Sequence, residues 1–68
     1  MSIMDYKASL HIAMEDPPFY AIIMAAMRKA DTTNIEKLKS AFPETWIELQ
    51  NRYESPGGVL QGEREVLL

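Results

Sequence analysis

His11 and Glu15 stand four residues apart, the spacing that brings an imidazole and a carboxylate together on one helix face. Such a pair is half of a metal site. No second pair follows in the sequence, so a solvated polar face accounts for both residues and no metal is expected. The other carboxylates could include a general acid and a general base. Glu44, Glu48 and Glu54 instead suit the outer surface of one helix, with Glu44 in its first turn, where negative charge favours the helix dipole. Gly57-Gly58 follows a helical pattern and no strand, so it reads as a helix stop and not as a phosphate cradle. No nucleophile has an identifiable activating partner. A chain of 68 residues also leaves little room for an enclosed pocket. No catalytic residue, cofactor or metal ligand is therefore assigned, and the expectation is a protein that is not an enzyme.

Composition narrows the function further. The 68 residues make one small domain, with 47% hydrophobic side chains, no Cys and one His. Without Cys, neither a disulfide nor a thiolate zinc site can hold the fold together. The longest apolar run falls short of the ~20 residues of a membrane span. The first residues lack a basic stretch followed by an apolar one, so a secretory signal is not expected. The net charge of −3 gives no general attraction to phosphate backbones. A domain this small buries only about 60% of the surface its unfolded chain exposes. Self-association is an available source of further burial.

The elements that would position any site follow from punctuation and periodicity. Ser2 with Asp5 forms a capping-box pattern, and Ile3, Tyr6, Leu10, Ala13 and Met14 share one helical stripe. Tyr6, Ala8, Leu10, Ile12 and Met14 also alternate with Lys7, Ser9, His11 and Ala13, as a strand requires. Helix is the preferred reading, since the segment lacks Gly and is poor in β-branched residues. Asp16-Pro17-Pro18 predicts an N-cap followed by a helix to about Ala30, over residues 17–30. In that helix Phe19, Ile23, Ala26, Met27 and Ala30 centre one face, extended by Tyr20 and Met24. Ile22 and Ala25 sit on another side. A helix apolar nearly all round is expected to be central and covered.

Thr33 with Glu36 fits the capping box of a third helix ending near Ala41, with Ile35, Leu38, Ala41 and Phe42 on its inner side. Pro43 opens a fourth helix whose stripe is Trp46, Leu49 and Tyr53, with Ile47 well off it. Ser55-Pro56-Gly57-Gly58 ends it. The expected fold is all-α, a bundle of three to four short helices in one domain over residues 1–58, followed by a C-terminal tail at 59–68. Its expected core is Phe19, Ile23, Met27, Ile35, Leu38, Phe42, Trp46, Leu49 and Tyr53.

The segments Phe19 to Arg28, Ala30-Asp31-Thr32, Ala41-Phe42-Pro43-Glu44, Arg52-Tyr53 and Pro56-Gly57-Gly58 resemble small uncharacterised proteins of bacterial phages and mobile elements. The resemblance spans about Asp16 to Gly58 and brings no catalytic motif. It implies a short accessory protein in a bacterial or bacterial-host cytoplasm, one that inhibits or modulates a host or defence protein.

The function expected from these readings is a non-catalytic protein-interaction module. Its expected partners are a second copy of itself, as a homodimer or other homo-oligomer, and an unidentified protein. Tyr20, Ile22, Met24, Ala25, Ile47, Val66, Leu67 and Leu68 are the candidate interface. Methionine fills core gaps by default, but Met24 lies away from the centre of its helix's apolar face and suits an adaptable contact. The alternative is a small nucleic-acid-binding regulator acting as a dimer. The third and fourth helices would then mimic a helix-turn-helix, with Lys37, Lys39 and Arg52 near phosphates. Against it, Glu44 and Glu48 would repel the backbone of a nucleic acid, and the fourth helix offers no base-reading side chain at its start.

Overall fold

The structure is a computed structural model that describes residues 1–60, 62 and 63. Its elements are helices α1 (Ile3–Met14), α2 (Phe19–Lys29), α3 (Thr32–Ala41) and α4 (Pro43–Tyr53), then a short 3-10 turn at Pro56–Gly58. The fold is all-α, and no strand occurs among the described residues. Residues 3–14 resolve as helix because the backbone finds its partners locally. Ser2 Oγ accepts from the Asp5 N–H at 3.2 Å while the Ser2 N–H donates to Asp5 Oδ2 at 2.9 Å. An isolated strand would leave its ladder groups without partners.

Two helix starts differ from the sequence reading. Asp16 does not cap α2. It takes φ +52° in the turn before it, and Pro18 is the capping residue, without a side-chain hydrogen bond. Asp tolerates the left-handed region, and the prolines after it then fix the approach to α2. The cap of α3 is Asp31, two residues before the expected Thr33. Its Oδ1 accepts from the Asn34 N–H at 2.8 Å. Asp31, Thr32, Thr33 and Asn34 are all N-cap residues, and the acid that could reach a free N–H took the position. Pro43 opens α4 as expected.

Helices α2 and α3 both pack on α4, which also carries the 3-10 turn. The buried side chains, Met27 of α2 and Leu49 of α4, mark the centre of that unit. Ile23, Ile35, Leu38, Phe42 and Trp46 are half-buried around them. Two expected core members are corrected. Phe19 is 57% exposed and Tyr53 75% exposed. Phe19 sits at the open end of α2, where it meets the Phe42 ring edge-on at 6.0 Å. Tyr53 lies in the last turn of α4, beyond the reach of three short helices.

Candidate interaction surface

The surface is set by the link between α1 and α2. Helix α1 ends through hydrogen bonds from the Glu15 N–H to the Ile12 carbonyl (3.2 Å) and from the Asp16 N–H to the Ala13 carbonyl (3.0 Å). Asp16 then reverses the backbone. Pro17 and Pro18 have no N–H and a fixed φ, so the elbow is stiff. Pro18 leads into α2 in an extended conformation, and its carbonyl accepts from the Ile22 N–H at 3.2 Å. The result is a helix that runs off the three-helix unit. Every residue of α1 is exposed. Its apolar stripe carries large side chains in solvent, with Ile3, Tyr6, Leu10 and Met14 between 48% and 80% exposed.

Ile12 lies about half a turn from that stripe, on the side of α1 nearest α2. With Pro17, Ala21, Ile22, Ala25, Ala26 and Lys29 it lines an open groove of about 280 Å³. Apart from the Lys29 ammonium, these side chains are aliphatic. The small side chains of Ala21, Ala25 and Ala26 leave the α2 backbone close to the surface.

The expected interface residues do not form one patch. Ile22 and Ala25 belong to the groove just described. Tyr20 and Met24 point to another side of α2, where they line a hollow of about 260 Å³ with Glu44, Thr45 and Glu48 of α4. There the Tyr20 ring stands edge-on to Phe19 at 5.1 Å. Ile47 is 58% exposed on α4 and lines neither hollow. Val66, Leu67 and Leu68 lie outside the described residues. Sequence reasoning missed α1 as a surface. The signal was present, because Met4, Ala8 and Ile12 lie opposite the Ile3–Met14 stripe, and a short helix apolar on two sides cannot cover both by itself.

The polar residues are organised for structure. Arg52 donates from Nε to Glu48 Oε2 (3.0 Å), from Nη1 to the Gly58 carbonyl (2.7 Å) and to Glu63 Oε1 (2.9 Å), and from Nη2 to Glu63 Oε2 (2.6 Å). The Leu60 N–H also donates to Glu63 Oε1 at 2.9 Å. Hydrogen bonds from Arg52, then the one from Leu60, hold the Glu63 carboxyl below the usual carboxylate range. The two carboxylates raise the Arg52 guanidinium further still, Glu63 most. Lys39 pairs with Glu36 at 3.3 Å and stands 4.8 Å from the centre of the Trp46 ring. Among the described residues, no three His, Asp or Glu side chains gather into a metal-binding group. No helix among them is long and apolar enough to cross a membrane.

No family model, curated protein or solved structure matches this chain.

Proposed function

We propose that this chain is a non-catalytic protein-interaction module that acts by laying the Ile3–Tyr6–Leu10–Met14 stripe of α1 on another protein. One observation carries the reading: an entire helix presents its apolar stripe to solvent while the other three helices form the packed unit. A helix in that position is the usual donor in helix-in-groove recognition, read by anchors at this spacing. Small size, an open surface and side-chain clusters occupied by structural contacts all favour binding over catalysis. The resemblance to phage and mobile-element proteins makes inhibition or modulation of a host or defence protein the concrete form of this function.

The nucleic-acid reading has less support. It needs Lys37, Lys39 and Arg52 for phosphates, yet Lys39 pairs with Glu36 and Arg52 is held between Glu48 and Glu63.

Affinity capture with the intact chain and with a Leu10→Glu variant tests the proposal. A partner held by the first and lost by the second, with unchanged helical circular dichroism, supports it. Equal capture by both overturns it. A salt titration with duplex DNA addresses the rival, since phosphate contacts give a steep loss of affinity with salt.

A further inference from the structure

The chain exposes more surface than a folded protein of its mass should. Its accessible area is 6111 Å², against about 4,400 Å² for a compact monomer of 7.8 kDa. Residues 61 and 64–68 could expose about 1,100 Å² at most. Setting that aside leaves about 5,000 Å² for the 62 described residues, against about 4,100 Å² for a compact chain of that size, an excess of about 900 Å². A stable protein–protein interface takes about 800 Å² from each partner. The surplus therefore matches one interface, and the aliphatic groove beside α2 is the place where it is least polar.

Charge indicates what fills the groove. Helix α2 carries Arg28 and Lys29 at its C-terminal end, and Glu15 and Asp16 stand before its N-terminal end, separated from it by Pro17 and Pro18. All four are exposed, and among the described residues none of them forms an ion pair. Lys29 lies on the groove face of α2, whereas Arg28 turns toward Met27 and the α4 side chains Trp46 and Leu49. The groove face of α2 is thus apolar in the middle and basic at one end, and the acidic pair stands two prolines before the other end. Such a face complements a copy of itself turned end for end. With the crossing between Ile22 and Ala25, antiparallel pairing sets Lys29 across from the second copy's Pro18, two residues from its Asp16. Lys29 then reaches the acidic pair, and the helix dipoles oppose favourably. The three alanines permit close approach of the two helices. Each contact occurs twice about a two-fold axis, which closes the assembly at two copies.

We infer that the chain forms a two-fold homodimer through the outer face of α2. Ile12, Ile22 and Ala25 form its apolar centre, and Lys29 of each copy pairs with Glu15 and Asp16 of the other. This face lies on the opposite side of α1 from the stripe assigned above to a partner protein. The dimer thus presents two such stripes.

Sedimentation equilibrium of the intact chain at micromolar concentration is the test. The expected mass is twice 7.8 kDa. Ile22→Glu should halve it. Lys29→Glu should also give a monomer, as should Glu15→Lys with Asp16→Asn. Mixing these two charge variants should restore the dimer, because only the mixed pair has opposite charges at both ends. Circular dichroism on each variant separates loss of pairing from loss of fold. A native chain that stays at 7.8 kDa overturns the dimer. So does a dimer that survives Ile22→Glu, or two charge variants that do not rescue each other. A monomer that still captures a partner through Leu10 would leave the proposed function standing without the dimer.

Discussion

Arg52 and Glu63 meet through two parallel hydrogen bonds, at 2.9 and 2.6 Å, although they are eleven residues apart in the chain. This fork-to-fork contact ties the segment after the 3-10 turn back onto α4. The Gly58 carbonyl and the Leu60 N–H join the same cluster. The segment thereby acquires fixed hydrogen-bond partners beside the half-buried Val59 and Leu60.

The clasp is pH-dependent on the acid side. The Glu63 carboxyl is lowered in the folded protein by Arg52 and Leu60, so its contribution is present above its unfolded pKa, about 4.3. That contribution is lost as pH falls through the lowered folded value. An NMR titration of the Leu60 amide should therefore show a midpoint below about 4.3. Glu63→Gln should abolish the transition; a midpoint at the ordinary carboxylate value would show that the clasp does not hold in solution.

Leu49 and Tyr53 share a helix but should respond differently to truncation. Leu49 is 6% exposed, and Leu49→Ala should cost about 2–5 kcal/mol in urea unfolding. Tyr53 is 75% exposed, and Tyr53→Ala should stay within about 0.5 kcal/mol. Equal losses would place Tyr53 in the core after all.

The two candidate caps of α3 can be separated in the same way. Asp31→Ala removes the acceptor of the Asn34 N–H and should lower stability by about 1 kcal/mol. Thr33→Ala removes no cap hydrogen bond and should cost less. The reverse order in thermal melts would restore the Thr33 reading.

Asp16 holds a positive φ. Asp16→Gly should be tolerated, while Asp16→Val should destabilise the elbow by about 1–2 kcal/mol, since a β-branched residue resists that conformation. Both are read from the melting of the α1 signal; similar behaviour would argue against the left-handed turn.

Local signals made most of the fold legible. Ser2 with Asp5, Pro43, and Ser55-Pro56-Gly57-Gly58 act within a few residues of themselves, and each lies where the sequence reading placed it. Burial was less legible because it depends on how many helices surround a side chain. The periodicity of α2 identified its apolar faces but not which of them α4 would cover. Phe19 and Tyr53 matched the stripe pattern and still fell beyond the contact, because the helices are only 10 to 12 residues long. The surface at α1 was legible only in part: Met4, Ala8 and Ile12 opposite the stripe signal a second apolar side, but nothing within residues 3–14 reports that α4 lies elsewhere.

The elbow Asp16-Pro17-Pro18 also divides the protein thermodynamically. Two consecutive prolines interrupt the backbone hydrogen-bond ladder, so helix cannot propagate between α1 and α2. With 12 residues and no buried side chain, α1 is in the length range where an isolated helix is marginal in water. In a single copy its folding equilibrium is therefore set mainly by its own cap and by the Ile12 contact beside α2, and its amides should exchange by local opening. A protein that docks on α1 must draw that equilibrium toward the helix. Part of its binding free energy goes into ordering α1, and the gain in α1 helicity is a direct spectroscopic measure of occupancy.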